Sequence, residues 1–448
     1  MRLKKLKIVK YKNLKDIEIN FSSNYTIFIG ENGGGKTNIL EAISKIFSDL
    51  YSNKLGNFFK ENYEIEYEIK NKIVNLKFTK DNNELESKVD SVDIKRTELQ
   101  DYLPEHIILL YSGKDKKLEE VYKKMTKSYI DNNLYKLEKV PLRKMLYLTP
   151  EYNKILFLNY LKENEEEKTI ANSIEISLKM PTTWGKNKPT KAQGINGIFE
   201  NAKGELKVLL EKWGEEVSYE EGKFFFTNNN PNINNNFLKD DDLINFKTLD
   251  LFLLSDIIQD IKIEVDRNIE FDSFSEGQKQ KYMNLALINL FPEKEVLILL
   301  DEPDSHLHPK WIREYGVQLN DILEANKKQH LLYVTHSPLI LGTTNDENIY
   351  ILKNGKVLEC NSETFCNDVN TILAEVMDVK KYTSDIMTHE EIILEALIEN
   401  KLFEAKSELE ILKNNLRKKG VKNLEDHDLV LELSGMIRRM ELMNELTK

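Results

Sequence analysis

The residues most suited to chemistry form a glycine-rich run near the amino terminus. Residues 30–37 read G-E-N-G-G-G-K-T and match the pattern G-x-x-x-x-G-K-[ST] in full. Glycines at this spacing let the backbone turn tightly and bring N–H groups onto phosphate oxygens, and the dipole of a following helix favours the same anion. We expect the Lys36 ammonium to reach β- and γ-phosphates and the Thr37 hydroxyl to hold Mg²⁺. The predicted nucleotide contacts of this run are Asn32, Gly33, Gly34, Gly35, Lys36 and Thr37.

Two carboxylates that could complete such a site follow an apolar run much later in the chain. Residues 296–300 are continuously apolar and are followed by Asp301 and Glu302. Such an apolar run is typical of a strand that is buried on both faces of a parallel sheet. We expect Asp301 to hold the Mg²⁺ hydration shell and Glu302 to orient or deprotonate the attacking water. A charge pair at the start of a helix is the alternative explanation of this dipeptide.

One histidine closes the next apolar run. His336 follows the predicted strand 331–335. Ligands of open parallel sheets bind beyond the carboxyl ends of the strands, so we expect His336 to reach a γ-phosphate oxygen. A lone histidine is more often a structural residue, and it is the position after a neighbouring parallel strand that favours function here.

The elements that must position these groups alternate between strand and helix. A strand at 25–29 leads into the glycine-rich run, and a helix near 37–50 follows it. Later, strand 296–300, a helix at 309–326 and strand 331–335 repeat the βαβ order of a parallel sheet. The fold class predicted from this order is α/β. Further strands, partly antiparallel, are predicted at 6–9, 17–21, 63–69, 73–78, 107–111 and, as a hairpin turning at Asn354-Gly355, 348–358.

Two regions outside this core differ from it in pattern. One is a charged, mainly helical insertion with a single β-like run at 174–178. The other is a tail of three amphipathic helices, the first opening on a capping-box pattern at 388–391, which should pack as a small bundle. We therefore divide the chain into a first core half (1–113), the insertion (114–245), a second core half (246–360) and a carboxyl-terminal helical domain (361–448).

Composition excludes several classes of protein. The chain has 448 residues and a net charge of −11, so any nucleic-acid contact needs a local basic patch. Its two cysteines, Cys360 and Cys366, exclude a disulfide framework and a four-ligand zinc site, and they predict a reducing compartment such as the cytoplasm. No run of 18 apolar residues is present, so we expect no membrane span.

Four motifs together resemble the ABC-type ATPase core of the SMC, RecF and OLD lineage. They are the run 30–37, S-E-G-Q at 275–278, L-D-E-P at 300–303 and T-H-S-P at 335–338. The resemblance implies ATP and Mg²⁺ as cofactors, a mixed sheet, and two protomers that sandwich two nucleotides head to tail. It also implies that Ser275, Gly277 and Gln278 contact the γ-phosphate held by the other protomer. Glu276 stands where many relatives have Gly or Ser, which predicts slower turnover.

A narrower resemblance points to bacterial defence. Residues 301–309, D-E-P-D-S-H-L-H-P, are similar to the form found in OLD-like ATPases, and some members of that group share the Y-S-G at 111–113. Tail segments at 368–373, 404–406 and 437–439 look like the ATPase subunit of Septu antiphage systems, also found with some retrons. That implies a homodimer or higher homo-oligomer, a separate HNH-type nuclease partner, and nucleic acid contacted through the complex.

The chain departs from its relatives in several ways. We cannot place the usual Q-loop glutamine, and the insertion lacks the heptads of an SMC coiled coil. We expect no Toprim-like nuclease region after the core, since the residues from 361 to 448 read as helical. His306 and His308 could be read as a zinc pair, but the family motif and the start of a helix explain them better. We therefore expect an ATPase, converting ATP and water to ADP and phosphate, without a nuclease site of its own.

A second reading of the same residues stays open. It is a stand-alone RecF- or SMC-like repair ATPase that clamps duplex DNA, with the lysine-rich stretches 114–128 and 413–422 as candidate contacts. The role of the tail is equally open. It could dock the nuclease, or it could complete the fold and join ATPase protomers.

Overall fold

A computed structural model describes most of the chain. The described residues are 1–31, 33–111, 117–134, 136–137, 139–163, 171–182, 184, 189–190, 193–216, 218–220, 223–227, 245–265, 269–291, 293–360, 372, 384–421, 423–424 and 427–446.

Strands and helices of these residues are numbered in chain order. The strands are β1 (Arg2–Tyr11), β2 (Leu14–Asn20), β3 (Tyr25–Gly30), β4 (Tyr63–Ile69), β5 (Lys72–Thr79), β6 (Glu84–Val89), β7 (Val92–Asp93), β8 (His106–Tyr111), β9 (Met145–Leu148), β10 (Ala171–Leu178), β11 (Ser218–Glu220), β12 (Lys223–Thr227), β13 (Ile258–Val265), β14 (Ile269–Glu270), β15 (Val296–Asp301), β16 (Gln329–Thr335), β17 (Ile349–Lys353) and β18 (Lys356–Glu359). The helices are α1 (Lys36–Ser52), α2 (Arg96–Leu99), α3 (Lys117–Tyr129), α4 (Asn153–Glu163), α5 (Asn196–Asn201), α6 (Gly204–Glu216), α7 (Phe246–Leu254), α8 (Glu276–Asn289), α9 (Pro309–Ala325), α10 (Pro338–Leu341), α11 (Ser384–Ile398), α12 (Leu402–Lys418) and α13 (Asp428–Leu446).

The sheet that carries the glycine-rich run has seven strands in the order β18-β17-β3-β16-β15-β8-β9. All neighbours pair in parallel except β17 and β18. Every residue of β3, β15 and β16 is buried, because helices cover both faces of a parallel sheet. The predicted α/β fold with a mixed sheet is confirmed. The β17–β18 hairpin turns at Asn354 and Gly355, both with positive φ, as predicted.

A second, antiparallel sheet has six strands in the order β2-β1-β4-β5-β6-β7. Its buried and solvent-facing positions alternate, for example along β4, where Tyr63, Ile65, Tyr67 and Ile69 are buried. Apolar side chains of this face, of α1 and of the seven-stranded sheet form one continuous core. Ring contacts such as Phe47 on Tyr67, with centroids 5.9 Å apart, belong to it. Packing from both sides thus fixes α1, the helix that begins at Lys36.

A third sheet has five strands in the order β11-β12-β10-β13-β14. The predicted run at 174–178 lies in β10, whereas β11, β12, β13 and β14 were not predicted. Strands β11, β12 and β14 have two to five residues each, too few to show a clear alternation, but β13 has eight. Because β13 pairs with β10, this sheet extends past residue 245, where we placed the end of the insertion.

The chain forms two compact units, Met1–Ile372 and Leu373–Lys448. The finer division of the first unit at 113 and 245 stays a prediction. In the second unit α11, α12 and α13 share one apolar core that includes Ile393, Leu412 and Leu433, so the predicted carboxyl-terminal helices are confirmed.

The predicted capping box was wrong: Thr388 lies inside α11, which begins at Ser384. Ile386 packs on the same core, and that burial places this turn inside the helix.

Candidate functional site

The glycine-rich run leaves β3 and turns directly into α1. Gly30 has a φ of 154°, and a Cβ at this position would clash with the carbonyl oxygen of Leu352 in β17. Only glycine therefore lets the run pass so close to the neighbouring strand. Lys36 begins α1 as predicted, so the N–H groups of the first turn face the run. Asn32 lies outside the described residues, and its predicted nucleotide contact stays a prediction.

Lys36 folds back over the run. Its Nζ donates to the carbonyl oxygens of Gly30, at 2.7 Å, and Glu31, at 2.9 Å. It also lies 3.3 Å from Nδ1 of His336. Burial lowers the pKa of Lys36 to about 8, although the negative charges of two nearby carboxylates act to raise it. A partly desolvated ammonium attracts an anion more strongly than one in water, so this side chain is suited to bind phosphate.

The two predicted Mg²⁺ ligands lie together. Thr37 Oγ1 donates a 3.3 Å hydrogen bond to Oδ1 of Asp301, although the residues are 264 positions apart. Burial raises the pKa of Asp301 to about 7. A hydroxyl and a carboxylate are the hard oxygen donors that Mg²⁺ prefers, and phosphate oxygens with water usually complete its shell. The residues present therefore suit this ion.

Glu302 and His336 form the next contact of the site. His336 Nε2 lies 3.2 Å from Oε1 of Glu302. Burial, and then the charge of Lys36, lower the pKa of His336, which favours the neutral imidazole. We assign the ring proton to Nε2, the tautomer in which Nδ1 accepts from Lys36 and Nε2 donates to Glu302. Glu302 itself has a φ of 53°, an unusual conformation outside glycine that often marks a functional position.

The segment 275–278 opens α8 and is held by its own hydrogen bonds. The Ser275 Oγ accepts from the Gln278 backbone N–H at 3.3 Å, and the Gln278 Oε1 accepts from the Ser275 N–H at 2.9 Å, which together form a capping box. A Cβ at Gly277 would lie 2.7 Å from the carbonyl oxygen of His306, so a larger residue would push these segments apart. Ser275 is exposed. Within the described chain no hydrogen bond links Ser275, Gly277 or Gln278 to Lys36, and their role in trans stays a prediction.

Sequence reasoning missed Asn13, which holds the outer side of the run. Its Nδ2 donates to the Gly33 carbonyl at 2.7 Å, and its Oδ1 accepts from Asn38 at 2.6 Å. Asn13 lies in the turn between β1 and β2, where Lys12 has a φ of 51°. The only signal in the sequence was the turn itself, because the contact joins residues that are 20 positions apart.

Other predicted features fall at the edge of the site. Tyr111 ends β8 in register with Asp301, while Ser112 and Gly113 of that motif and residues 368–371 of the tail lie outside the described residues. His308 caps α9 by accepting from the Lys310 N–H at 3.3 Å, which supports the helix-start explanation of that histidine. Within the described ranges no group of three or more His, Cys, Asp or Glu side chains could hold a metal ion.

The fold and the site define an ATP-binding P-loop protein of the ABC and RecF type. A family model described as "AAA domain, putative AbiEii toxin, Type IV TA system" matches residues 25–342, and the chain belongs to this family. Among the helices that the structure describes, none is long and apolar enough to cross a membrane.

Several curated proteins are similar to this chain. The DNA replication and repair protein RecF of Streptococcus thermophilus (strain ATCC BAA-491 / LMD-9) is 23% identical over 391 residues, which cover 80% of this chain and 99% of that protein. RecF of Clostridium kluyveri is 29% identical over 162 residues, 35% of this chain. That match spans 43% of the Clostridium protein, less than half of its length.

Solved structures of ATPase domains are similar at low identity. The Smc head domain bound to the C-terminal domain of ScpA, from Pyrococcus furiosus, has a TM-score of 0.35 at 14% identity over 80% of this chain and 96% of that one. The recombination mediator RecF with ATPrS has a TM-score of 0.33 at 17% identity over 79% and 97%. The fold assignment rests on the strand order and site described above.

Removal of the Lys36 ammonium should abolish tight nucleotide binding. We expect Lys36→Ala to weaken ATP binding about 100-fold, because charge-assisted contacts to phosphate are worth roughly 1.5–3 kcal/mol each. Titration with a fluorescent ATP analogue measures this. Lys45→Ala is the matched control, since Lys45 lies in the same helix but pairs with Glu41. Equal affinities of the two variants would contradict the assignment.

The buried Asp301 carboxyl should make stability depend on pH. Its pKa in the folded protein, about 7, lies above the ordinary value of 3.8 for an exposed aspartate, so stability is lost as pH rises between these values and the buried group ionises. We expect Asp301→Asn to raise the thermal midpoint of the metal-free protein by at least about 2 °C at pH 8. At pH 4 the two proteins should differ little. A larger gain at pH 4 than at pH 8 would refute the burial effect.

Proposed function

We propose that this protein hydrolyses ATP with Mg²⁺ and that two copies close head to tail around two nucleotides. The observation that supports this most is the meeting of Lys36, Asp301 and His336 at the carboxyl ends of three adjacent parallel strands, β3, β15 and β16. Ligands of open α/β sheets bind at such an edge.

Each side chain has a separate task in this proposal. Lys36 leaves the loop carbonyls for the β- and γ-phosphate oxygens. Thr37 and Asp301 would hold Mg²⁺, which would supply positive charge beside the phosphates. Glu302 accepts a hydrogen bond from the attacking water and takes its proton as the new P–O bond forms, while the bond from the γ-phosphorus to the β–γ bridging oxygen breaks and ADP leaves. The Nε2–H of His336 turns from Glu302 toward a γ-phosphate oxygen, and its hydrogen bond to that oxygen stabilises the phosphoryl group during transfer.

Dimer closure is the step that we assign to the segment 275–278. Ser275 is exposed at the start of α8, where the helix dipole favours an anion. In the closed dimer its hydroxyl exchanges the bond to Gln278 for the γ-phosphate held by the other copy. Closure then depends on that phosphate, so nucleotide occupancy biases an assembly between two states.

For the biological role, we propose an ATPase subunit that regulates a separate HNH-type nuclease in bacterial antiphage defence. Support comes from the D-E-P-D-S-H-L-H-P motif at 301–309 and from the Septu-like segments of the tail. The family description also names a putative toxin of a type IV TA system. In this proposal another chain supplies the nuclease site, and the complex reaches nucleic acid through that chain.

A second candidate is a DNA-repair ATPase, which the RecF relatives favour. It requires a basic surface for the phosphate backbone. In the two lysine-rich stretches, Lys123 pairs with Glu119 and Lys413 with Glu410, so part of this charge is neutralised. ATPase activity that DNA stimulates and that salt suppresses, in the absence of any partner, would favour this candidate over the first.

Trapping the closed dimer tests the proposed ATPase cycle. We expect Glu302→Gln to bind ATP normally, to lose turnover by about 100-fold or more, and to elute as an ATP-dependent dimer. Light scattering with and without ATP measures this. In the same background, Ser275→Asp keeps the helix cap but sets a negative charge against the γ-phosphate, so the dimer should be lost.

Ser275→Asn is the matched control, because it caps the helix without the charge. It should dimerise far better than Ser275→Asp. If the aspartate variant dimerises with ATP as well as the asparagine variant does, the serine does not act across the dimer.

Partner binding tests the proposed biological role. An HNH protein encoded beside this chain should co-purify with it. Phe403 and Ile398 are each 85% exposed on the second unit, and we expect Phe403→Asp to reduce the recovered nuclease at least about tenfold, since buried aromatic anchors dominate interfaces. Val92→Asp, at a 66% exposed site in the first unit, is the control. Full recovery with Phe403→Asp would place docking elsewhere.

A further inference from the structure

Backbone pairing between β15 and β16 ends at Glu302, before the turn that carries His336. Their last backbone bond runs from the Glu302 N–H to the Val334 carbonyl at 2.8 Å. Beyond it Glu302 takes a left-handed φ, and Pro303 has no N–H to donate. Backbone pairing between these two strands therefore does not extend to His336.

A buried side-chain bond replaces the backbone at this point. Thr335 Oγ1 donates to Oδ2 of Asp304 at 2.6 Å. The same hydroxyl oxygen accepts from the Ser337 N–H at 2.8 Å. Thr335 is fully buried and Asp304 is 7% exposed. His336 lies between Thr335, which carries this hydroxyl, and Ser337, which donates to it, so the backbone is held on both sides of the histidine.

The Asp304 end of this bond is itself anchored. Asn284 of α8 donates to the Pro303 carbonyl at 2.8 Å, and the Asp304 carbonyl accepts from the Leu307 N–H at 3.1 Å. Three buried tyrosines, Tyr25, Tyr315 and Tyr333, interact electrostatically with the Asp304 carboxyl. In such a water-poor place a hydrogen bond is stronger than at the surface, and breaking it leaves a buried group unsatisfied.

We propose that Asp304 and Thr335 are positioning residues that hold His336 in line with Glu302 for phosphoryl transfer. This inference rests on the proposed ATPase function. A displacement of about 1 Å at a reacting group can cost roughly 100-fold in rate, and the Thr335 hydroxyl is the contact that fixes the turn carrying His336. Neither residue touches the nucleotide, so both act through the histidine.

Thr335→Val tests the inference, because valine keeps the shape and removes the hydroxyl. We expect kcat to fall about tenfold to 100-fold, with KM for ATP within about twofold, since Thr335 Oγ1 bonds to Asp304 and Ser337 and not to Lys36 or Thr37. Thr335→Ser restores the hydroxyl and should recover at least about half of kcat. Unchanged kcat in Thr335→Val would overturn the inference.

A double-mutant cycle separates positioning from general damage. If Thr335 acts through His336, adding Thr335→Val to a His336→Ala protein should change kcat less than about twofold, because coupled residues are not additive. A merely structural role would lower kcat by the same factor in both backgrounds, and that result would also overturn the inference.

A second variant distinguishes a loss of kcat from a loss of folding stability. Thr335→Val alone removes one donor from the buried Asp304 carboxyl, whereas Asp304→Leu combined with Thr335→Val replaces both partners by apolar groups of similar shape, a change that can be nearly neutral for stability. The double variant should keep the thermal midpoint and still lose kcat, and retention of full kcat would refute positioning. Absence of ATP turnover in the unaltered chain would instead refute the proposed function, and with it the positioning role that depends on that function.

Discussion

The parallel pairing of β16 between β3 and β15 is the constraint on which the site depends. Backbone ladders set Val334 opposite both Phe28 and Asp301, so the three strand ends lie at one edge of the sheet. Side chains from positions near 36, 301 and 336 then meet within hydrogen-bonding distance. No single segment could bring these groups together, because the phosphate-binding run and the carboxylates come from opposite ends of the first unit.

Burial gives this edge its electrostatic character. It lowers the pKa of Lys36 to about 8, raises that of Asp301 to about 7 and lowers that of His336. Each shift favours the neutral form of the group, because burial removes the water that would stabilise its charge. A phosphate group beside Lys36 and a cation beside Asp301 would each stabilise the charged form instead. The protein therefore holds a set of groups whose charges are best satisfied by a metal–nucleotide complex.

The segment that opens α8 connects this edge to a surface. Gly277 allows the helix to lie against the His306 carbonyl, and Asn284 holds the Pro303 carbonyl from the same helix. The turn after β15 thus bonds to α8 on one side and, through Asp304, to β16 on the other. These bonds join α8, the turn after β15 and the end of β16 into one contiguous set.

The sequence alone determined the phosphate-binding run, the carboxylates after β15, the histidine after β16 and the α/β class. These features are local: a loop and its helix are contiguous, and a strand buried on both faces shows as an uninterrupted apolar run. Tertiary structure decided the rest. Asn13 on Gly33, Thr335 on Asp304 and the early start of α11 depend on partners distant in the chain or on a shared core, and such contacts leave no local pattern. Packing and long-range hydrogen bonds, rather than spacing, therefore set the geometry in which the predicted residues could act.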